Sequence, residues 1–169
     1  FGDGAGAVVL EARKEPTGPL SFVLGSDGAK ADLIYVPGVC EAPAAASHNE
    51  QHCLHMNGRE VYKFAVNTVC DATLQAVAAA GLRIEDIDLF IPHQANERII
   101  QAVARNLGLP QNKVFSNVDR YGNTSSASIP IALCEAVEQG RLKAGDNLAM
   151  VGFGSGLSWG AVVLRWAPK

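Results

Sequence analysis

Apolar and polar positions follow two periods along the chain, and these periods predict its strands and helices. Short apolar runs rich in β-branched residues, closed by Gly, Pro or Asp, predict buried strands. Apolar positions that recur every three to four residues predict amphipathic helices. The predicted strands cover residues 5–12, 20–25, 32–36, 87–92, 114–118, 147–153 and 160–166, and the predicted helices cover residues 60–80, 97–107 and 126–139.

The order of these elements predicts an α/β fold. Strands and helices alternate over residues 87–153, which indicates a mostly parallel sheet with right-handed crossovers. Too few residues join the last two strands for a crossover, so the final strand should run antiparallel. Residues 39–57, rich in Ala, Pro, His and Asn, predict a long irregular surface loop. Cys70 and Cys134 fall within apolar helical patterns and are predicted to be buried free thiols.

Composition narrows the classes of function. The 169 residues carry 14 Lys and Arg against 17 Asp and Glu, and 48% of them are apolar, which predicts one folded domain. The mildly acidic balance argues against nucleic-acid binding, which needs a basic face. No apolar run approaches the roughly 20 residues that cross a bilayer, so no membrane partner is expected. Four cysteines are too few for a disulfide scaffold, which favours the reducing cytoplasm.

Three polar or glycine-rich loops follow predicted strands, where sites form in open α/β sheets. They are residues 92–96 with His93, residues 119–125 with Asn123, and the glycine turn 152–156. If the strands are parallel neighbours, these loops face one crevice. A neutral imidazole donates one N–H and an amide donates two, so the pair could form an oxyanion or enolate hole. Each residue alone is also typical of an ordinary turn or surface position.

Five segments resemble motifs of β-ketoacyl-acyl-carrier-protein synthase III and occur in that family's order. They read FGDGAGA at 1–7, MNGREVYKF at 56–64, IPHQANERI at 91–99, NVDRYGNTS at 117–125 and GFGSGLSWG at 152–160. The resemblance implies a thiolase-type fold of two similar halves, each a five-stranded sheet flanked by helices. It implies that residues 1–169 form the C-terminal half, with the start at Phe1 marking the boundary.

The resemblance also implies a reaction and the residues that perform it. The family condenses an acyl-CoA starter, often acetyl-CoA, with malonyl-acyl-carrier protein, and so initiates fatty-acid synthesis. His93 and Asn123 match the catalytic residues expected to stabilise the malonyl enolate. Phe153 matches a phenylalanine beside the reactive thiol. The backbone N–H near Ser155 should serve the oxyanion hole of the acyl-enzyme, although many relatives carry glycine at that position.

Binding residues and partners follow from the same resemblance. Ala95 and Asn96 should border the pantetheine arm, whereas Lys63, Arg98 and Arg105 should form a basic patch that docks the acidic carrier protein. Other expected partners are acyl-CoA, the N-terminal half and a second copy in a homodimer, with no cofactor beyond the CoA or phosphopantetheine of the substrates.

The family's nucleophilic cysteine lies in the other half of the enzyme. None of the four cysteines of this chain matches its motif, so the chain alone is not expected to condense.

Three alternatives stay open. A metal site could form from residues of the irregular loop, namely Cys40, His48, His52, Cys53 and His55, although their spacing matches no standard zinc pattern. The chain could be a non-catalytic interaction domain that keeps the fold. It could also belong to a thiolase-fold relative with different chemistry, such as condensation of a polyketide starter or ester formation.

Overall fold

The computed structural model describes residues 1–12, 14, 17–37 and 53–167. Its strands are β1 Gly18–Ser26, β2 Ile34–Tyr35, β3 His55–Met56, β4 Leu89–Pro92, β5 Asn147–Gly154 and β6 Ser158–Arg165, and its α-helices are α1 Gly58–Ala79, α2 Glu97–Asn106, α3 Val118–Tyr121 and α4 Ser128–Glu138. Short 3-10 helices cover Gly28–Leu33, Ile84–Asp86, Gln111–Lys113 and Ser125–Ala127. Apart from residues 53–57, the predicted loop 39–57 lies outside the described residues.

The main sheet has the order β1-β6-β5-β4. β4 and β5 are parallel, while β6 runs antiparallel to both β5 and β1. The predicted mixed sheet and the antiparallel final strand are therefore confirmed, with four strands rather than five. β2 and β3 form a separate antiparallel pair beside this sheet, and only two residues of the predicted strand 32–36 belong to it.

The predicted strand 114–118 is wrong, and this accounts for the missing fifth strand. Pairing to β4 stops after one parallel bridge, between Phe90 and Val114, and Val118 already begins α3. The backbone N–H of Phe115 still donates to the Phe90 carbonyl over 2.9 Å. After Phe115, the backbone of this segment bonds to the buried side chain of Gln94 instead of to a neighbouring strand. Residues 115–117 therefore form no strand ladder.

The predicted strand 5–12 is also wrong, because no strand among the described residues pairs with it. The segment instead runs past the start of α4: the Gly2 N–H donates to the Asn123 carbonyl over 2.8 Å, and Gly6 lies against Pro130. Val9 is left 87% exposed. A β-rich pattern becomes a strand only where a partner supplies the hydrogen bonds.

Two apolar clusters hold helices on the two faces of the sheet. The larger joins α1 and α2 to one face through Phe90, Val151 and Val163, and the smaller joins α4 to the other face through Leu89 and Ile91. Neighbouring residues of β4 thus point to opposite layers, as the period of two in a strand requires. Such double burial is typical of a strand in a parallel pair. Of the helices that the structure describes, none is long and apolar enough to cross a bilayer.

The two cysteines predicted to be buried differ. Cys70 is 8% exposed within the larger cluster, as predicted. Cys134 is exposed, so that prediction is wrong. Only one stripe of α4, which includes Ala132 and Ala136, faces the sheet, and Cys134 lies about 200° around the helix from Ala132.

Candidate active site

A cavity of about 870 Å³ opens where β4 and β5 end. Because these strands are parallel, their carboxyl ends and the loops that follow them lie at the same edge of the sheet. The cavity is lined by seven of the nine residues that the sequence singles out, namely His93, Ala95, Asn96, Arg98, Asn123, Phe153 and Ser155. The structure thus brings residues of all three loops to one cavity.

His93 directly follows β4 and is held on both sides. Its backbone N–H extends the parallel pairing by donating to the Val151 carbonyl over 2.7 Å. Its ring nitrogen Nδ1 lies 2.6 Å from the hydroxyl oxygen of Ser128, the first residue of α4. Burial lowers the pKa of His93 from its ordinary value of 6.5, so the imidazole is neutral at pH 7. Because Nδ1 of this neutral ring is bonded to Ser128, Nε2 is the ring nitrogen available to a ligand in the cavity.

Gln94 points away from the cavity into the protein and ties two segments together. Its side-chain nitrogen donates to the carbonyls of Pro92 and Phe115, over 2.7 and 3.3 Å, and its side-chain oxygen accepts from the Asn117 N–H over 2.9 Å. The residue is only 1% exposed. Gln94 therefore links the loop that carries His93 to the chain that leads to Asn123.

Asn123 is placed by unusual backbone on both sides. Gly122 has φ 66° and ψ −162°, a conformation that is favourable only for glycine, and Ser125 has φ 56°. In this turn the Ser125 N–H donates to the side-chain oxygen of Asn123 over 2.8 Å. Since that oxygen is engaged, the end of the amide left for a ligand is its NH₂ group.

A carboxylate behind this loop anchors the helix before Asn123. Glu135 of α4 accepts hydrogen bonds from Asn117, Arg120 and Tyr121. Burial by itself would raise the pKa of Glu135, but the hydrogen bonds from Tyr121, Asn117 and Arg120 outweigh it and lower that pKa. The carboxylate thus stays ionised at neutral pH and fixes α3 to α4.

Phe153 lies near the end of β5, and Ser155 lies in the turn that joins β5 to β6. The Phe153 ring stands edge-on to His93, with 5.4 Å between ring centroids, and also contacts Phe64 of α1. The Ser155 hydroxyl donates to the Ile34 carbonyl over 2.7 Å and so ties this turn to β2. The aromatic contacts keep one wall of the cavity apolar beside the imidazole.

The expected binding residues surround the opening of the cavity. Arg98 is exposed and lines the cavity, while Asn96 also caps α2 by accepting from the Ile99 N–H over 2.9 Å. Lys63 and Arg105 are exposed and do not line it, and Lys63 is paired with Glu60. Only part of the expected basic patch therefore touches the cavity.

Sequence reasoning missed the residues that orient the site. Ser128 lies 35 residues from His93, and no spacing signal relates the two. Gln94 lies within a recognised motif, but its type alone does not show that it points inward. Glu135 belongs to a helical pattern in which an acidic residue is usually solvated. Only the packing of the loops against each other and against α4 reveals these three roles.

No cysteine or metal cluster is found at the cavity within the described residues. Cys53, Cys70 and Cys134 do not line it, and no group of three or more His, Cys, Asp or Glu side chains in the described ranges could hold a metal ion. Three residues of the alternative metal site, Cys40, His48 and His52, lie outside the described residues.

Comparisons with known proteins identify the family of this chain. Residues 77–166 match the family described as 3-oxoacyl-[acyl-carrier-protein (ACP)] synthase III C terminal. A beta-ketoacyl-[acyl-carrier-protein] synthase III from Roseiflexus sp. (strain RS-1) is 53% identical over 169 residues, which are 98% of this chain and 51% of the relative. The chain spans about half the length of the curated relatives it matches.

Solved structures show the same likeness. The beta-ketoacyl-[acyl carrier protein] synthase III of Thermus thermophilus has a TM-score of 0.84 and 52% identity, over 92% of this chain and 48% of that chain. The priming beta-ketosynthase of the R1128 polyketide biosynthetic pathway has a TM-score of 0.77 and 34% identity, over 91% and 46%.

The fold and these neighbours place the chain in the class of thiolase-fold proteins. Within that class, the chain belongs to the 3-oxoacyl-[acyl-carrier-protein] synthase III family and corresponds to its C-terminal half. The family and the fold predicted from the sequence are thereby confirmed.

Proposed function

We propose that this chain, joined to an N-terminal half like that of its relatives, condenses an acyl-CoA starter with malonyl-acyl-carrier protein to begin fatty-acid synthesis. The observation that supports this most directly is the pair of oriented hydrogen-bond donors, His93 and Asn123, on one cavity. Their fixed N–H groups suit an oxygen that becomes negative during the reaction.

In the proposed reaction the bond between the malonyl carboxylate and its α-carbon breaks, and CO₂ leaves. The electron pair moves into the thioester, whose oxygen becomes an enolate held by His93 and Asn123. The α-carbon then attacks the acyl thioester on a cysteine of the N-terminal half, and the cysteine thiolate departs. Phe153 places an apolar ring where the carboxylate would lie, which disfavours its charge. The backbone N–H near Ser155 is assigned to the acyl-enzyme oxyanion.

The test measures decarboxylation of malonyl-acyl-carrier protein by the protein that contains both halves. His93→Ala and Asn123→Ala should each lower kcat by about 10²–10³-fold, the usual effect of losing one oxyanion donor. Asn67→Ala, which removes an exposed amide from α1, is the matched control and should leave kcat unchanged. Normal decarboxylation by His93→Ala would contradict the proposal. The chain without its N-terminal half should give no condensation product.

We also propose that the basic patch of Lys63, Arg98 and Arg105 docks the acidic carrier protein. Arg98 and Arg105 lie seven residues apart on α2 and share a face. Arg98→Glu should raise KM for malonyl-acyl-carrier protein about tenfold and change KM for acyl-CoA little. Lys143→Glu, before the start of β5 and so at the opposite edge of the sheet, should change neither. Equal effects of Arg98→Glu on both KM values would count against docking.

The pantetheine arm of either substrate is assigned to the part of the cavity beside Ala95 and Asn96, where α2 begins. We expect no cofactor beyond the groups that the substrates carry, a cytoplasmic location and a homodimer. The cytoplasmic location rests on the low cysteine count, and the other two expectations rest on the family. Metal analysis of the purified protein would test the absence of a metal cofactor, and size-exclusion chromatography would test the homodimer. Priming of polyketides is the second candidate, but identity to the polyketide-priming neighbour is 34% against 52% for the Thermus thermophilus enzyme.

A further inference from the structure

We infer that Ser128 is a positioning residue that holds His93 in the tautomer with its proton on Nε2. The inference rests on the proposed function, since it concerns how the proposed donor at His93 is prepared. Ser128 is 2% exposed, and its hydroxyl oxygen lies 2.6 Å from Nδ1 of His93. In the sequence, Ser128 lies outside the three loops that follow the strands. The start of α4 brings it next to His93 in the first of these loops.

The hydrogen-bond count at this hydroxyl decides the direction of the bond. A serine hydroxyl has one proton to donate and two lone pairs to accept with. The Gln94 N–H donates to the Ser128 oxygen over 3.3 Å, which uses one lone pair. Among the described residues, the other partner of this oxygen is Nδ1 of His93. The hydroxyl proton therefore goes to Nδ1, which accepts it as an unprotonated nitrogen.

The reverse arrangement is worse for a buried group. If Nδ1 carried the proton, two N–H groups would donate to the Ser128 oxygen, and the hydroxyl proton would face no acceptor in the described part of the chain. A buried donor without a partner is costly. The Ser128 oxygen also lies in the first turn of α4, where the N-terminal end of an 11-residue helix disfavours a positive imidazolium.

The consequence for the cavity is a fixed donor. With Nδ1 accepting from Ser128, a neutral His93 must carry its one proton on Nε2, the nitrogen left for the cavity. Without the hydroxyl, the ring loses both its preferred tautomer and one of the contacts that set its plane. Ser128 acts only through His93, because the substrate oxygen is assigned to the His93 and Asn123 N–H groups.

The first experiment reads the tautomer directly, by long-range ¹H–¹⁵N NMR of the chain labelled at histidine and held at pH 8. The His93 signals are assigned by their loss in His93→Gln. In the wild type, Nε2 should carry the proton. Ser128→Ala should raise the fraction protonated on Nδ1 about fivefold, the factor that one neutral hydrogen bond is worth, and Ser128→Thr should restore the wild-type pattern.

Ser21→Ala is the matched control, because it removes a hydroxyl that bonds the Ala76 carbonyl over 2.6 Å away from the cavity. It should leave the His93 signals unchanged. A wild-type ring protonated on Nδ1, or Ser128→Ala signals identical to the wild type, would overturn the inference.

The second experiment separates this inference from the proposed function. In the protein with both halves, Ser128→Ala should lower kcat for malonyl decarboxylation about tenfold with little change in KM, and Ser128→Thr should restore it. If His93→Ala abolishes decarboxylation while Ser128→Ala changes neither kcat nor the tautomer, the inference about Ser128 is wrong and the proposed function stands. If Ser128→Ala shifts the tautomer but His93→Ala decarboxylates normally, the proposed function is wrong instead.

Discussion

Replacing Gln94 with leucine tests whether one buried side chain holds the loops of the cavity together. Leucine has a similar volume but offers no hydrogen bond. Gln94→Leu leaves the Asn117 N–H and the Pro92 carbonyl, now bonded over 2.9 and 2.7 Å, without this partner, and removes a longer bond to Phe115. A buried backbone group that loses its partner costs about 1–3 kcal/mol. We therefore expect a loss of about 3 kcal/mol in the free energy of unfolding.

The assay is urea unfolding followed by far-UV circular dichroism, with the slope compared between variants to check that the same surface is exposed. Gln101→Leu is the matched control, since Gln101 is exposed on α2 and its side chain donates to Glu97 of the same helix over 3.0 Å, in a bond that is exposed to solvent. That change should cost less than about 0.5 kcal/mol. If Gln94→Leu and Gln101→Leu lose the same amount, the reasoning about the Gln94 network fails.

Three further measurements test other parts of the structure. Gly122→Ala should cost about 1–3 kcal/mol because its φ of 66° and ψ of −162° suit only glycine, whereas Gly58→Ala, with no atom within 4 Å of the added methyl, should cost nothing; equal losses in urea unfolding would contradict this. Burial lowers the pKa of His93 below 6.5, so on acidification the unfolded chain takes up a proton at this residue before the folded chain does. The contribution of His93 to the free energy of unfolding should therefore be complete above pH 6.5 and be lost as the pH falls through the pKa of the folded state. A His93→Gln variant whose stability has the same pH profile as the wild type would refute this. Ile100→Ala, at a residue 0% exposed, should cost about 2–5 kcal/mol, and Leu74→Ala, at 45% exposure, under about 1 kcal/mol; similar losses would show that α2 does not close the core.

The helices and the central strands could be predicted because each carries a local pattern that its own packing satisfies. The predicted helix 60–80 agrees within two residues with α1, whose buried positions follow the helical period. The predicted strands 147–153 and 160–166 correspond to β5 and β6, which also show the predicted antiparallel pairing. In these elements the local preference and the tertiary contacts agree.

The two wrong strands fail for a reason that lies outside their own residues. The pattern at 114–118 is β-rich, but Gln94 supplies its hydrogen bonds in place of a strand. The pattern at 5–12 is equally β-rich and finds no strand partner in the described part of the chain. Pairing depends on distant residues, so a short window of sequence cannot decide it.

The position of the site could be predicted from the sequence, but the groups that orient its side chains could not. The predicted strand order places His93 and Asn123 at one edge of the sheet, and both line the cavity, although the segment before Asn123 makes a single parallel bridge to β4 instead of forming the predicted strand. The groups that orient them, the Ser128 hydroxyl and the Ser125 N–H, depend on the turn geometry around φ 56° at Ser125 and on where α4 begins. Neither feature has a signature in residue type or spacing.

The position of β6 in the middle of the sheet has a consequence for the order in which the chain can fold during synthesis. β1 is the first of the described strands and pairs with β6, so Gly18 meets Arg165 across 147 residues. Until β6 leaves the ribosome, β1 has no ladder partner among the described strands, and β5 lacks one of its two neighbours. At about 5–20 residues per second, this leaves the early strand unpaired for several seconds or more. Completion of the sheet should therefore wait for the synthesis of β6, and a nascent chain halted before residue 158 should hold α1 beside an incomplete sheet.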